Sequence, residues 1–261
     1  MQGAIIGDII GSVYEFNNIK TKDFPLFCDK SHFTDDSILT CATADWLMQG
    51  GKPEFFLKKW GKMYIEHPCE KGQVAHFGCA FMDWLKTGTS LQSKSNGCVM
   101  RISPLLHLKD KDEACEKAIE ITKTTHNHPE SLNAVHAYLD TGFMLQNLIP
   151  IPQIKETISK KYQYNLHQTL DEIRPTYNRF YVKCKNSVPQ AIICALDAYS
   201  YEDTLRNAVS LGGDSDTLAC MAGGLAELRF KIPADIIQNA KKYMDNDVKK
   251  LIRTFYNMHA K

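Results

Sequence analysis

The spacing of apolar residues most constrains how this chain can fold. Apolar side chains recur at helical intervals along most of the sequence, and extended runs of strict polar–apolar alternation are scarce. In the segment 37–50, SILTCATADWLMQG, the pattern runs through Ile38, Ala42 and Trp46 and ends at a Gly-Gly pair, a usual helix stop. The spacing therefore predicts a mainly helical protein.

The same spacing predicts further helices in segments 53–65, 112–123, 129–148, 189–199, 216–230 and 233–244. Proline stands at or near the start of five helical runs, where its missing N–H costs little: Pro53, Pro129, Pro152, Pro189 and Pro233. Because no Pro/Gly/Ser-rich linker divides the 261 residues, we expect a single domain over residues 1–261.

Charge and composition exclude several classes of protein. The net charge is +1 and the basic residues are scattered, so nucleic acid binding is not expected. No apolar run reaches the ~18 residues of a membrane helix, and Asp8 interrupts the N-terminal run that would otherwise look like a signal peptide. Nine cysteines without a C-x-x-C pair argue against a disulfide framework or a structural zinc site. We expect a cytoplasmic protein with no membrane partner.

Two short segments combine carboxylates with a threonine at a predicted helix start. Residues 34–36 read Thr-Asp-Asp, and residues 212–217 read Gly-Gly-Asp-Ser-Asp-Thr. An N-cap with dipole-matched acids would explain the first segment without any ligand. Alternatively, both segments supply the oxygen ligands that Mg²⁺, Mn²⁺ or Ca²⁺ prefers, and they could face each other across one metal site. An EF-hand is excluded because its twelfth position, counted from Asp214, is Leu225.

The N-terminal motif GDIIGSVYE would, if residues 3–16 are helical, place Asp8 and Glu15 on nearly one face. Gly3, Gly7 and Gly11 would form a neighbouring stripe that lets another backbone approach closely. Tight packing beside two surface acids is the alternative interpretation to a functional role for the acids.

Two further motifs are weaker when taken alone. Asn96-Gly97 is a turn signal, and exposed N–H groups of such a turn can hold a phosphate. His126 and His128 precede a proline and suit a loop or a helix cap as well as a ligand site, and no H-E-x-x-H motif strengthens a zinc interpretation.

In order along the chain, GDIIGSVYE, FTDDSILT, SNGCVMRISP, TTHNHPE and LGGDSDTLACMAGG resemble the motifs of the ADP-ribosylglycohydrolase family. This group of ADP-ribosylhydrolases includes dinitrogenase reductase-activating glycohydrolase. The resemblance runs from about residue 3 to residue 230. It implies an all-α, orthogonally packed domain with two Mg²⁺ or Mn²⁺ ions at the base of a cleft. It also implies metal-dependent release of ADP-ribose from a modified protein or small molecule.

Carried over residue by residue, the resemblance implies these metal ligands: Thr34, Asp35, Asp36, Asp214, Asp216 and Thr217. Glu15 would transfer a proton or position water near the scissile ribose, and Asp36 or Asp216 would polarise the water through the metal. Asn96 and Gly97 would line the ADP-ribose cleft, and His126 would lie near the substrate. His128 has no counterpart. The two phosphates would rest on backbone N–H groups.

The sequence departs from the family pattern near that loop. Ser95 stands where glycine is common, and Cys98 stands where a small residue is common. Segment 85–100 contains no aromatic residue, although some relatives stack adenine on one there. Ser215 replaces the common threonine conservatively.

The acceptor is open between several classes. Arginine on a protein is the preferred prediction, and O-linked serine or small-molecule conjugates are alternatives. A non-catalytic ADP-ribose-binding protein would be expected to lack metal ligands, and all six are present here. A terpenoid synthase would need Asp-Asp-x-x-Asp, but the last position is Leu39.

Overall fold

The computed structural model describes residues 1–66 and 77–259. These residues contain no β-strand, only isolated bridges that join Leu91 to His126 and Ser95 to Lys183. The all-α fold class is therefore confirmed. The α-helices are α1 (Gln2–Gly11), α2 (Asp35–Gln49), α3 (Pro53–Glu66), α4 (Cys79–Thr87), α5 (Lys111–Lys123), α6 (Pro129–Gln146), α7 (Ile151–Tyr162), α8 (Leu170–Ile173), α9 (Cys184–Leu196), α10 (Tyr201–Leu211), α11 (Ser215–Ala226), α12 (Ala234–Ala240) and α13 (Asn246–His259).

Helices α1 and α11 form the centre of the protein, and nearly every residue of both is buried. A Cβ atom added to Gly3, Gly7 or Gly11 would lie 2.4 Å from the Gly223 oxygen, 2.1 Å from the Ala219 oxygen or 2.5 Å from the Asp216 Cα, respectively. The contacts run in opposite directions along the two helices, so the pair is antiparallel. The predicted glycine stripe is confirmed as a site of close backbone approach.

The other helices surround this central pair. Helices α9 and α10 pack on α11, while α3 and α13 pack on α2, and α6 contacts α5, α7 and α9. The buried apolar side chains of the described residues form a contiguous core around them. Within the two described ranges, no helix combines the length and apolarity that crossing a bilayer requires. The assignment of residues 1–261 to one domain stays a prediction.

Several predicted helix boundaries were wrong. The helices predicted to end at residues 199, 230 and 244 end at Leu196, Ala226 and Ala240. The first helix ends at Gly11 and is followed by a 3₁₀ turn at Ser12–Tyr14, so it does not continue to residue 16. Pro189 lies inside α9, because that helix begins at Cys184, whose backbone N–H donates to the Lys94 oxygen at 2.8 Å. A tertiary contact thus extends α9 ahead of its proline.

Candidate active site

The antiparallel central pair brings the end of α1 to the start of α11, and the start of α2 lies beside both. A cavity of about 270 Å³ opens there. All the predicted site residues except Thr34 line it. Its wall consists of Glu15, Asp35, Asp36, Leu39, Gly78, Cys79, Ala80, Phe81, Ser95, Asn96, Gly97, Met100, Arg101, His126, Phe180, Val182, Asp214, Asp216 and Thr217.

Asp8, on α1, fixes the first turn of α2. Its side chain is fully buried and accepts hydrogen bonds from the Thr34 N–H at 2.8 Å, the Thr34 hydroxyl at 2.8 Å and the Ser37 N–H at 3.1 Å. The Ser37 hydroxyl also donates to it. Thr34 is the N-cap of α2, as predicted, and its Oγ1 accepts from the Asp36 N–H at 3.3 Å. Asp8 is therefore a buried acid and not a surface acid. Its hydrogen bonds hold the Thr-Asp-Asp segment against α1.

The predicted carboxylates converge at the cavity floor. Carboxylate oxygens of Asp8, Asp36 and Asp216 lie within 4.8 Å of one another, as do those of Glu15, Asp214 and Asp216. The two groups share Asp216. Asp35 belongs to neither group, although it lines the cavity.

The second threonine connects the two segments. The Thr217 hydroxyl, at the start of α11, donates to Oδ2 of Asp36 at 3.2 Å. The two carboxylate–threonine segments, predicted to face each other, thus meet in one cluster.

The charges of this cluster suit a bound cation. Burial raises the pKa values of Asp36 and Asp216 well above the usual value for aspartate. The neighbouring carboxylate of Asp8 raises the pKa of Asp36 further, and that of Asp214 raises the pKa of Asp216. Oδ1 of Asp36 and Oδ1 of Asp216 are buried without a hydrogen-bond partner among the described residues. Because an unpaired buried oxygen is costly and Mg²⁺ or Mn²⁺ takes oxygen ligands, these residues fit a divalent ion.

The Asn96-Gly97 turn closes one side of the cavity as a 3₁₀ turn, Asn96–Cys98. Nδ2 of Asn96 donates to Oδ2 of Asp214 at 2.6 Å, so this side chain orients a carboxylate of the cluster. The His126 ring lies 3.6 Å from where a Gly97 Cβ would be. Both ring nitrogens of His126 share hydrogen bonds with hydroxyls, Nε2 with Ser95 at 2.8 Å and Nδ1 with Thr125 at 2.7 Å.

His126 therefore supports the loop as a neutral ring. Burial, together with the Arg101 charge, lowers its pKa to about 3. His128 lies elsewhere in the fold as the N-cap of α6, where its ring accepts a hydrogen bond from the Glu130 N–H.

A family model described as ADP-ribosylglycohydrolase matches residues 1–260. The chain belongs to the ADP-ribosylglycohydrolase family. A solved structure, "ADP-ribosylglycohydrolase-related protein complex", shares the fold with a TM-score of 0.70 and 19% identity over 99% of this chain and 97% of that chain. A search of curated proteins gave no match.

Membership in the ADP-ribosylglycohydrolase family gives the general chemistry, a hydrolase that acts on ADP-ribose conjugates. The all-α, orthogonally packed fold is that of the family. The acidic cluster at the cavity floor is a group of residues that could hold metal ions.

Sequence reasoning missed three residues of this ADP-ribosylglycohydrolase site. The sequence places Asp8 in an apolar run and on one face with Glu15, but gives it no role in the site. A carboxylate within an apolar helix is itself a signal of a buried hydrogen-bonded group. Arg101 is fully buried beside the cavity, where Nη2 donates to the Thr125 hydroxyl at 2.6 Å and Nε and Nη1 have no partner among the described residues. Phe180 reaches the cavity from a segment without a family motif.

Stabilisation of the protein by Mg²⁺ should increase with pH. A carboxylate whose folded-state pKa is raised binds protons more tightly when folded, so its contribution to stability is lost as pH rises above the unfolded value of about 4. The pKa values of Asp35, Asp36 and Asp216 are all raised, so the metal-free protein should lose stability as the pH rises. A bound cation would remove it, so the melting temperature with Mg²⁺ minus that with chelator should grow between about pH 5 and pH 8.

The lowered pKa of His126 makes this residue destabilising in acid, which opposes the effect of the carboxylates on the melting temperature. This contribution cancels when the melting temperature in chelator is subtracted from that in Mg²⁺. A metal shift of equal size at every pH would contradict the predicted competition between protons and metal.

Proposed function

We propose that the protein is a metal-dependent hydrolase that cleaves the glycosidic bond between ADP-ribose and an acceptor, with ADP-ribosylated arginine on a protein as the preferred substrate. The observation that carries the proposal is the convergence of carboxylates from α1, α2 and α11 at the floor of one cavity. Asp36 and Asp216 each contribute a buried oxygen that has no hydrogen-bond partner within the described ranges. The residues that we assign to the site are the catalytic, substrate-binding and metal-binding residues predicted from the sequence.

The proposed cofactor is a pair of Mg²⁺ or Mn²⁺ ions. The two sets of three carboxylates, which have Asp216 in common, support a site for two ions. Thr34, Asp35 and Thr217 would supply further oxygen ligands at the helix starts. When bound, such ions orient the vicinal hydroxyls of a ribose and polarise a water molecule. Asp8 and Asn96 would keep the ligands in register, because their hydrogen bonds fix the Thr34 segment and Asp214 respectively.

Glu15 is the proposed proton-transfer residue. Burial raises the pKa of Glu15 to about 7 in the metal-free protein, with further contributions from Asp214 and Asp8. Bound cations would offset the contributions of the neighbouring carboxylates, so Glu15 would be mainly ionised in the metal-loaded protein and could accept a proton from a water molecule or position it. The glycosidic bond would break through an oxocarbenium-like state, as is usual for glycoside hydrolysis.

The size of the cavity limits how much substrate is enclosed. At about 270 Å³ it lies below the ~300–1,000 Å³ of typical small-molecule sites. It suits the ribose at the reacting end, with the Asn96-Gly97 turn beside the diphosphate and the adenosine toward the open surface.

We propose a cytoplasmic location, because the nine cysteines are odd in number and form no C-x-x-C pair, a usage that suits a reducing compartment.

The direct test is release of free ADP-ribose from arginine-linked, serine-linked and small-molecule conjugates, each with Mg²⁺, with Mn²⁺ and with chelator. We expect cleavage of the arginine conjugate with metal and its loss with chelator. The proposal is wrong if no conjugate is cleaved or if chelator has no effect. Tight ADP-ribose binding without any turnover would instead identify a non-catalytic binding protein.

A further inference from the structure

Two exposed phenylalanines form a stacked pair at the mouth of the cavity. The rings of Phe16 and Phe180 are nearly parallel, with an interplanar angle of 10° and centroids 5.8 Å apart. Phe16 is 73% exposed and Phe180 is 48% exposed, and Phe180 is part of the cavity wall. Single exposed aromatic residues are common, but a stacked pair beside a cavity with carboxylates at its floor is an exposed apolar patch of the kind that marks a binding surface.

The backbone beneath the pair is fixed to the carboxylate cluster. The Asn18 amide donates to the Gly213 oxygen at 3.0 Å and accepts from the Gly213 N–H at 2.8 Å. The same amide donates to the Glu15 oxygen at 3.0 Å, so the segment that carries Phe16 is tied to the residue before Asp214.

The segment that carries Phe180 is fixed to the same turn. Gly213 has φ +71, and a Cβ there would lie 2.9 Å from the Arg179 oxygen. Nζ of Lys20 donates to the Tyr177 oxygen at 2.6 Å, which holds this segment from the other side. The backbone segments that carry the two rings are therefore both held by the turn at Gly213.

The pair lies at the reacting end of the site. Phe16 directly follows Glu15, and Phe180 directly follows the residue that packs on Gly213, next to Asp214. If the terminal ribose binds at the carboxylates, as proposed above, adenine is separated from this point by a second ribose and the diphosphate. The group next to the scissile bond on the other side is the acceptor.

We propose that Phe16 and Phe180 bind the acceptor and select a planar cation, the guanidinium group of arginine. This inference rests on the proposed function. Aromatic faces attract cations, and a guanidinium group stacks on them more readily than an ammonium group because it is planar and weakly hydrated. The Glu15 carboxylate beside Phe16 adds a complementary negative charge. A serine hydroxyl gains neither interaction, so the pair acts as a specificity determinant.

The experiment replaces each ring with an apolar side chain that has no π face. Phe16→Leu and Phe180→Leu should lower kcat/KM for ADP-ribosylated arginine by roughly 3- to 30-fold, mainly through KM. Phe180→Trp should retain activity because it keeps an aromatic face. Calorimetric affinity for ADP-ribose, which lacks the acceptor, should not change. Phe55→Leu is the matched control, since Phe55 is 61% exposed on α3 and does not line the cavity.

Each other outcome overturns the inference in a distinguishable way. If kcat/KM is unchanged in both leucine variants while wild type cleaves the arginine conjugate, the pair does not bind the acceptor. If ADP-ribose affinity falls together with kcat/KM, the pair holds adenine instead. If the wild-type protein releases no ADP-ribose from any conjugate, the proposed function itself fails, and the acceptor assignment fails with it.

Discussion

Asp36→Asn should lower the rate of ADP-ribose release by roughly 100-fold or more and yet raise the melting temperature of the metal-free protein. Asparagine keeps the shape of the side chain, and its carbonyl oxygen can still accept from the Thr217 hydroxyl. The substitution removes one negative charge from a buried cluster in which the pKa of Asp36 is raised well above its usual value. It also removes Oδ1, an oxygen that has no hydrogen-bond partner among the described residues and is the atom best placed to bind a cation.

Asp45→Asn is the matched control on the same helix. Asp45 is 4% exposed, but its carboxylate accepts from Nζ of Lys59 at 2.7 Å and from Nε1 of Trp60 at 2.9 Å. Because its charge is compensated, we expect this variant to lose about 1–3 kcal/mol of stability and to keep its activity. Melting curves in chelator and rate measurements in Mg²⁺ distinguish the two positions. Equal changes in both variants would contradict the assignment of Asp36 to a cation site.

Gly7→Ala should destabilise the protein by roughly 3 kcal/mol or more, because overpacking between two rigid backbones leaves no side chain that can move aside. The added Cβ would lie 2.1 Å from the Ala219 oxygen and 2.5 Å from the Ala219 carbonyl carbon. For a chain of this length each kcal/mol shifts the melting temperature by about 2–4 °C, so the loss is readily measured by calorimetry.

Gly78→Ala provides the comparison for that measurement. Gly78 precedes α4 with φ −57, and an added Cβ there would have no atom of the described residues within 4 Å. We expect its melting temperature to match that of wild type. A Gly7→Ala variant that melted at the same temperature would show that α1 and α11 can separate without loss, contrary to the packing described.

The sequence predicted those features that depend on local spacing. Helix α2 begins at its predicted cap, Thr34, and ends at Gly50, because capping and helix termination involve neighbouring residues. The glycine stripe on α1 was also predicted, but its partner was not. The small residues that allow a close approach all lie within one helix and can be read from local sequence. The identity of the helix that packs on them, α11, depends on the fold of the whole chain.

The candidate site was likewise predictable where it depends on short motifs and not where it depends on contacts between distant segments. The carboxylates of α2 and α11 were expected to meet, since hard cations need oxygen ligands from more than one segment. The role of Asp8 was not predicted, because capping α2 across a distance of 26 residues leaves no periodic signal in the sequence. Phe180 was missed for a similar reason, since its position depends on the Arg179 contact with Gly213.

The antiparallel pairing of α1 with α11 also has a consequence for biosynthesis. Gly7 meets Ala219, so α1 leaves the ribosome long before its partner has been made. Helix α1 is buried on nearly all sides in the finished protein and has no polar face to present to water in the meantime. The carboxylate cluster, which lies where these two helices meet, cannot assemble before α11 has been synthesised, so a nascent chain is without its site until then.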